Sequence, residues 1–186
     1  MQAAKDAFLS HGFRNTSMDQ VADLAQVSKR TVYNHFENKE ALFRAVSVGL
    51  CTQVKALVIA YQPHAPLHTQ LLEIAQQEVK MLTTDSYIAA FRALLVESFE
   101  LPGIVEQIAS ELPDNDTLHE WITAATGDGR LHCDNTEQAT LHFHTQIKGA
   151  FFWPVLIGYG AAPKGKAKQQ YLENTVAMFL SYYTTK

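Results

Sequence analysis

The chain has 186 residues, of which 47% are hydrophobic and 18% charged, with a formal net charge of −4 at pH 7. A chain of this size forms one large or two small globular domains, and the net negative charge argues against a protein that coats nucleic acid over its whole surface. No stretch approaches the roughly 18 consecutive apolar residues of a membrane span, and no secretory signal is visible. Two cysteines, Cys51 and Cys133, lack metal-ligand spacing, so we expect a cytoplasmic protein without a membrane partner.

The charges are unevenly distributed along the chain. Residues 1–55 carry seven Lys and Arg against five Asp and Glu, a net charge of +2, which leaves −6 for the remainder. This asymmetry fits a small basic domain that reads nucleic acid, attached to an acidic one.

The first two predicted helices lie near the N-terminus. Apolar residues recur at helical spacing over residues 2–11, and Gly12 ends that helix. The second helix covers residues 17–25. Ser17 opens it and Gln20 follows three residues later, which is the pattern of a capping box.

A sharp turn joins the second helix to a third over residues 29–35, because only three residues separate Ala25 from Lys29. Ser28 has the position of an N-cap for the third helix, and Val32 can pack on the second. The opposite face carries cationic and hydrogen-bonding side chains at Lys29, Arg30, Thr31, Tyr33 and Asn34. A helix-turn-helix with such a face is suited to the major groove of DNA.

The chain resembles the DNA-binding domain of TetR-family transcriptional regulators over roughly residues 2–50, on the motifs SKRTVYNHF at 28–36, NKEALF at 38–43 and AAKDAFLSHGF at 3–13. The resemblance implies a three-helix DNA-binding domain, which we place at residues 1–45. The family often has Gly in the turn where this chain has Gln26. A positive φ at Gln26 would cost on the order of 1 kcal/mol.

The rest of the chain is also predicted to be helical, since no strand pattern competes. Asn38 caps a long fourth helix that we extend to Tyr61, where Pro63 and Pro66 end it. Six further helices are predicted at 67–82, 86–99, 103–111, 114–126, 135–158 and 164–184. The fold class is therefore all-α.

Two later segments resemble the C-terminal domain of an AefR/AcrR-like subgroup of the TetR family: G129-R130-L131 and K148-G149-A150-F151-F152. The resemblance implies a helical ligand-binding and dimerisation domain, which we place at residues 46–186. It also implies a homodimer built from the last two helices and a ligand cavity enclosed by the middle ones.

The helix-turn-helix residues have distinct predicted roles toward DNA. Tyr33 and Lys39 are expected to hold phosphates, the latter helped by a helix N-terminus. Arg30, Thr31 and Asn34 are expected to meet base edges, Arg favouring guanine and Asn adenine. For Thr16 and Ser17, phosphate contact and simple helix capping both remain open, as do DNA contact and packing for His35. The predicted DNA-binding set is Thr16, Ser17, Ser28, Lys29, Arg30, Thr31, Tyr33, Asn34, His35 and Lys39.

Aromatic residues from several predicted helices form a second candidate site. Any one of them can be core or interface material, but together they could line an apolar cavity for an aromatic or amphipathic ligand. Tyr87 and Trp121 would supply its polar contacts. The predicted ligand-binding set is Tyr61, Tyr87, Phe91, Trp121, Phe143 and Phe152.

Enzymatic and metal-dependent functions find little support in the sequence. No nucleophile elbow, phosphate loop or zinc motif is present, and Glu97 with Glu100 is explained by solvated side chains on a helix surface. His142 and His144, two residues apart, point to different faces of a helix, so we predict no metal site and no cofactor.

The last helix has more apolar surface than one core-facing stripe requires. We expect a four-helix dimer interface formed by two sets of residues, in the last helix Tyr171, Leu172, Val176, Phe179, Leu180 and Tyr183, and in the preceding one Phe143, Ile147, Ala150 and Phe151.

The sequence thus predicts a homodimeric repressor that a small apolar or aromatic compound releases from a pseudo-palindromic operator in double-stranded DNA. The alternative is a helical protein that binds a small molecule and acts by sequestration or protein contact. A weaker rival is an enzyme that uses the aromatic cavity.

Overall fold

The computed structural model describes residues 1–53, 59–99, 101–112 and 116–184, and these form an all-α fold as predicted. The helices within this part of the chain are α1 Gln2–His11, α2 Met18–Leu24, α3 Lys29–His35, α4 Lys39–Gln53, α5 Leu67–Leu82, α6 Asp85–Ser98, α7 Ile104–Glu111, α8 Thr117–Gly127, α9 Thr136–Phe151, α10 Trp153–Ile157 and α11 Gly165–Tyr183. Among these residues, one isolated antiparallel β-bridge joins Leu131 to Thr184.

The helices group into two compact units. The head unit contains Met1–Val54 and Asp85–Pro113, and the body unit contains Lys55–Thr84 and Asp114–Lys186. The head unit therefore includes α6 and α7 in addition to the first four helices. A functional boundary at residues 45 and 46 stays a prediction.

The core of the head unit is built around three phenylalanine rings. Phe8 lies 5.2 Å from Phe43 and 6.0 Å from Phe13, and Phe13 lies 5.3 Å from Phe43, measured between ring centroids. All three side chains are buried. Aromatic pairs at such distances contribute roughly 0.5–1.5 kcal/mol each beyond the burial of their area, so this cluster holds α1 against α4.

Glu97 of α6 is buried in the head unit, and the prediction of a solvated side chain there is wrong. Only 4% of its surface is exposed, and its Oε1 accepts a hydrogen bond from the backbone N–H of Phe13 at 3.1 Å. Helical spacing does not show that a glutamate faces a backbone donor in a distant segment. Glu100 lies outside the described residues.

The body unit is held by apolar residues from four long helices. α5 packs on α9 and α11, and α8 packs on α9. The largest side chains in this core are almost fully buried at Trp121, Phe143, Phe151, Leu71, Leu82, Ile122, Ile147 and Leu172. Burying one such side chain contributes roughly 1.5–3 kcal/mol relative to leaving it exposed.

The single helix predicted over residues 135–158 is two helices. α9 ends at Phe151, and α10 begins at Trp153 with Pro154 in its first turn. Proline has no N–H to donate to the residue four positions earlier, and its ring clashes with that residue's carbonyl. The apolar periodicity continues through the break, and for this reason the pattern alone predicted one helix.

The fourth helix is shorter than predicted at its C-terminal end. α4 is described through Gln53, and residues 59–62 are not helical, so the extension to Tyr61 is wrong there. Residues 54–58 lie outside the described part. The predicted start is confirmed, because the Asn38 side chain accepts the backbone N–H of Ala41 at 2.8 Å.

Candidate nucleic-acid interface

Local hydrogen bonds set the start of α2. The Ser17 Oγ accepts the backbone N–H of Gln20 at 3.1 Å, and the Ser17 N–H donates to the Gln20 Oε1 at 2.7 Å. This is the predicted capping box, in which two otherwise unpaired N–H groups of the first turn are satisfied. The Ser17 hydroxyl is exposed, so it caps the helix and remains reachable from solvent.

The turn between α2 and α3 requires a left-handed residue at Gln26, which has φ of 55° and is not a glycine. The Gln26 N–H donates to the Asp23 carbonyl, and the Val27 N–H donates to the Ala22 carbonyl, both at 3.1 Å. These two bonds form a Schellman motif, which normally has Gly at the left-handed position. The condition under which Gln26 would be strained is therefore met, since its φ is positive.

One side of α3 packs against the protein and the other is exposed to solvent. Val32 is buried at 7% exposure, and the Ser28 Oγ accepts the backbone N–H of Thr31 at 3.1 Å. Tyr33 is 52% exposed. The side chains exposed on this helix are Lys29, Arg30, Thr31, Tyr33, Asn34 and His35. Because α3 has a single buried anchor and a continuous polar surface, it can enter a groove without losing core contacts.

Three exposed groups on or beside this surface already have partners within the protein. The Lys29 ammonium forms an ion pair with Asp19 of α2, and the hydrogen bond and charge of Asp19 raise the pKa of Lys29. The Ser28 and Thr31 hydroxyls lie 2.8 Å apart and form a hydrogen bond. Asp19 therefore offsets part of the Lys29 charge that a phosphate would otherwise meet.

Lys39 is directed toward the connection between α1 and α2. Its Nζ donates to the Phe13 carbonyl at 2.9 Å and to the Arg14 carbonyl at 3.4 Å, and it lies 4.3 Å from the centroid of the Phe13 ring. Two of its three N–H donors are thus used internally. Sequence reasoning assigned this residue to phosphate alone and missed its structural contacts.

Thr16 lies inside the head unit, with 2% of its surface exposed. Its hydroxyl is within hydrogen-bonding distance of the Gly12 carbonyl, at 2.8 Å, and of the Ala7 carbonyl, at 3.3 Å. The hydroxyl therefore hydrogen-bonds to backbone carbonyls at the C-terminal end of α1.

His35 is exposed and its ring lies 6.4 Å from that of Phe36.

The six predicted ligand-binding aromatics fall in both units. Tyr87 and Phe91 belong to the head unit, where their rings lie 4.5 Å apart. The members in the body unit are Tyr61, Trp121, Phe143 and Phe152. Their role toward a ligand stays a prediction.

The indole N–H of Trp121, predicted to contact a ligand, already has a hydrogen-bond partner within the protein. Its side chain is 1% exposed, and its indole N–H donates to the Gln70 Oε1 at 3.1 Å. The Tyr61 ring packs edge-on against it with centroids 5.9 Å apart, and the Tyr61 hydroxyl donates to Asp128 at 2.6 Å. A ligand could use the Trp121 N–H only by displacing Gln70.

Gln70 and Arg130 hold the segment before α5, a role that sequence reasoning missed. The Gln70 Nε2 donates to the carbonyls of Gln62 and Ala65, both at 3.0 Å. The Arg130 guanidinium donates to the carbonyls of Pro63 at 2.6 Å and Ala65 at 2.9 Å. Arg130 belongs to one of the motifs that carried the family resemblance, and its contacts give that motif a structural reason.

A histidine between two carboxylates joins three helices of the body unit. His144 of α9 has its Nδ1 2.7 Å from the Glu78 Oε1 and its Nε2 2.8 Å from the Asp116 Oδ2. Burial acts to lower the pKa of His144, but the hydrogen bonds to Asp116 and Glu78 outweigh it and raise the pKa to about 9. Burial acts to raise the pKa of Asp116, while His144 and two backbone N–H groups lower it overall. Both ring nitrogens are occupied, so His144 is a structural imidazolium.

The residues predicted to form the dimer interface are largely core residues of one protomer, and that prediction is wrong for them. Exposure is 5% or less at Leu172, Val176, Phe179, Phe143, Ile147 and Phe151. Periodicity shows that a helix face is apolar but does not show what covers it. Other apolar side chains of α9 and α11 are exposed instead: Leu141 at 63%, Met178 at 54% and Tyr182 at 79%.

Two family profiles match the chain. Residues 1–46 match "Bacterial regulatory proteins, tetR family", and residues 69–185 match "AefR-like transcriptional repressor, C-terminal domain". These matches confirm the resemblances inferred from the sequence, including the AefR-like one. No helix of the described residues is long and apolar enough to cross a membrane.

Individual relatives and solved structures agree with the profiles. The chain is 31% identical over 131 residues to the HTH-type transcriptional regulator UidR of Escherichia coli (strain K12), a match that covers 70% of this chain and 64% of UidR. Matches to the first curated relatives span between 36% and 64% of those proteins' lengths.

Solved structures of other proteins are similar over the whole chain. A TetR family transcriptional regulator from Pseudomonas syringae pv. tomato str. DC3000 is 33% identical with a TM-score of 0.80, and the match covers 100% of this chain and 95% of that one. The Flavonoid-responsive Regulator FrrA is 26% identical with a TM-score of 0.86, over 100% of this chain and 95% of that one.

Proposed function

Because the chain belongs to the TetR family of bacterial transcriptional regulators, we propose that it binds a pseudo-palindromic operator in double-stranded DNA as a homodimer, in the cytoplasm and without catalytic activity. The observation that carries the proposal is the arrangement of α3, which is anchored by Val32 and presents an uninterrupted polar face.

The exposed side chains of α3 differ in length and in hydrogen-bonding groups, and we assign them different contacts with DNA. Arg30 and Asn34 are exposed and have no described internal partner, so they are available to base edges, with Thr31 beside them. A bidentate contact from Arg to guanine or from Asn to adenine contributes roughly 1–3 kcal/mol of discrimination. Tyr33 and His35 extend this surface. Arg30 and Asn34 therefore carry most of the proposed sequence specificity.

The remaining predicted contacts position the head on the phosphate backbone. Ser17 and Ser28 offer hydroxyls at the starts of α2 and α3, where helix N-termini favour anions. Lys29 keeps N–H donors beyond the one that pairs with Asp19, and Lys39 has one N–H donor left. We assign Thr16 a supporting role, because its hydroxyl is buried against backbone carbonyls.

Dimerisation is proposed through the exposed apolar face of α9 and α11. Leu141, Met178 and Tyr182 provide this face, and two copies related by a two-fold axis would pair it with itself. A two-fold dimer places its recognition helices in major grooves roughly 34–36 Å apart, or further by whole turns. This spacing is the reason for expecting a pseudo-palindromic operator.

We propose that the chain is a repressor and that binding of an aromatic or amphipathic compound lowers its affinity for DNA. The AefR-like repressor profile supports the first part, and the flavonoid-responsive neighbour FrrA supports the second. The proposed effector region in the body unit includes Tyr61 and Trp121. Coupling between ligand and operator is expected in the usual range of roughly 1–3 kcal/mol, and it acts equally in both directions.

The test is selection of binding sites from random double-stranded DNA with the whole chain, followed by titration of the recovered site at several salt concentrations. We expect one enriched palindromic sequence, with affinity that falls as salt rises. Arg30→Ala and Asn34→Ala should relax the preference at one or two base pairs. Failure to enrich any sequence would overturn the proposal and favour a protein that acts by sequestration. Turnover of a bound compound would favour an enzyme.

A further inference from the structure

The head unit contains a surface cavity that the proposed function does not use. It has a volume of about 320 Å³ and lies between the start of α4 and the corner that joins α6 to α7. Its walls include apolar side chains at Ala41, Leu101 and Ile104, and acidic ones at Glu37 and Glu40. Small-molecule sites are commonly concave, apolar in part and of roughly 300–1,000 Å³, so this cavity is large enough for a small ring with a short chain.

The charges around the cavity favour a cation. Glu37 and Glu40 are exposed, and no ion pair of either with another described residue is present. Arg44 also lines the cavity, but its Nε pairs with Glu111 at 2.7 Å and its guanidinium donates to the Gln107 Oε1 at 3.1 Å. Its charge is therefore already compensated.

The other cationic side chain at the start of α4, Lys39, does not line the cavity. The Lys39 ammonium donates to the carbonyls of Phe13 and Arg14. The Asn38 side chain accepts a hydrogen bond from the backbone N–H of Ala41. Without this bond, that N–H of the first turn could attract an anion. Two carboxylates without a described partner remain beside apolar surface.

We propose that this cavity binds a small organic ammonium compound with a compact apolar body. The apolar body contacts Ala41, Leu101 and Ile104, while the ammonium group pairs with Glu37 and Glu40. This site is separate from the effector region proposed in the body unit. It lies directly after α3, since only Phe36 stands between His35 and Glu37, so an occupant contacts the segment that follows the recognition helix.

The probe is 2-phenylethylammonium, with 2-phenylethanol as its uncharged counterpart and 3-phenylpropionate as its anionic one. Binding to the whole chain is measured without DNA, by amide chemical shifts in NMR and by calorimetry. We expect saturable binding of the ammonium compound, with the largest shifts at Ala41 and Ile104, and weaker or no binding of the other two. Because no DNA is present, failure of this experiment leaves the operator proposal unaffected.

Three variants locate the site. Exposed ion pairs each contribute a factor of roughly 1.5–5 in affinity, so Glu37→Gln with Glu40→Gln should weaken binding about tenfold. Ala41→Leu should fill the cavity and abolish binding. Glu73→Gln removes an exposed carboxylate from α5 in the body unit and should leave binding unchanged.

Thermal unfolding of each variant checks that it is folded before binding is interpreted. No saturable binding of 2-phenylethylammonium to the wild-type chain would overturn the proposal. So would equal binding by the double Gln variant and the wild type, or shifts confined to residues outside the cavity.

Discussion

Glu97 of α6 accepts a hydrogen bond from the backbone N–H of Phe13, 84 residues earlier in the chain, at 3.1 Å. Both residues are buried, and Phe13 directly follows Gly12, whose φ of 75° ends α1. The carboxylate therefore satisfies a backbone donor at the point where the chain leaves its first helix. A helix distant in sequence thus contributes to the geometry of the helix-turn-helix.

Removal of this acceptor should destabilise the protein. Loss of the acceptor leaves the buried N–H of Phe13 unpaired, which costs roughly 1–3 kcal/mol. We expect Glu97→Ala to lower the free energy of unfolding in urea by about that amount. Glu97→Gln keeps an acceptor oxygen and should lose less than half as much. Equal stability of Glu97→Ala and the wild type would contradict the structural role of this bond.

Gln26 offers a stabilising substitution. A non-glycine residue in the left-handed region costs on the order of 1 kcal/mol, so Gln26→Gly should raise the free energy of unfolding by about that amount. The matched control is Ala25→Gly, one residue earlier, where φ is −80° and glycine should destabilise by up to about 1 kcal/mol. Urea unfolding of the pair checks both signs, and a loss of stability in Gln26→Gly would contradict the assignment of strain.

The ion pair between Lys29 and Asp19 should restrain DNA binding. Asp19→Asn frees the Lys29 ammonium and removes a negative charge facing the phosphates. We expect affinity for the selected operator to rise several-fold and the salt dependence to steepen by about one phosphate contact. Asp23→Asn is the control, because Asp23 also acts on Lys29 through its charge but without a hydrogen bond. The smaller effect should come from Asp23→Asn, and the reverse order would exclude release of Lys29 as the cause.

Dimerisation should depend on exposed residues of α11 rather than on its core residues. The double substitution Met178→Glu and Tyr182→Glu would place charges on the face proposed to pair with a second copy. These positions are 54% and 79% exposed. Light scattering should then give the mass of one chain, 20.8 kDa, in place of the dimer. Val105→Glu is the control, since Val105 is exposed on α7 and should leave the mass unchanged. A monomeric wild-type chain would refute the interface.

His144 should make stability dependent on pH. Its pKa rises from 6.5 to about 9 on folding, so the native state holds this proton more tightly than the unfolded state. The resulting stabilisation is fully present below pH 6.5 and is lost as the pH rises through about 9. The linkage amounts to about 3 kcal/mol.

The check is urea unfolding from pH 6 to 10. We expect the decline in stability over this window to be reduced in His144→Gln, although that variant is less stable throughout because Glu78 loses its partner. His132→Gln removes a histidine that is 76% exposed, and the decline should persist in it. An unchanged decline in His144→Gln would assign the effect to another group.

Local sequence determined much of the helix-turn-helix. The Ser17–Gln20 capping box, the Ser28 cap and the left-handed residue at Gln26 all depend on hydrogen bonds between residues at most five positions apart. Such bonds form wherever the residue types and spacing recur, because the helical backbone itself brings the groups together. The predictions of the Ser17–Gln20 capping box and of the Ser28 cap were therefore confirmed.

The tertiary structure decided which partners the charged and apolar side chains meet. Glu97 reaches Phe13, His144 joins Glu78 to Asp116, and the apolar residues of α11 divide between a buried face and an exposed one. Helical periodicity assigns a residue to a face, but the neighbour of that face comes from segments tens of residues away. Burial and pairing depend on that neighbour, since desolvation and hydrogen bonding act only once the segments have packed together.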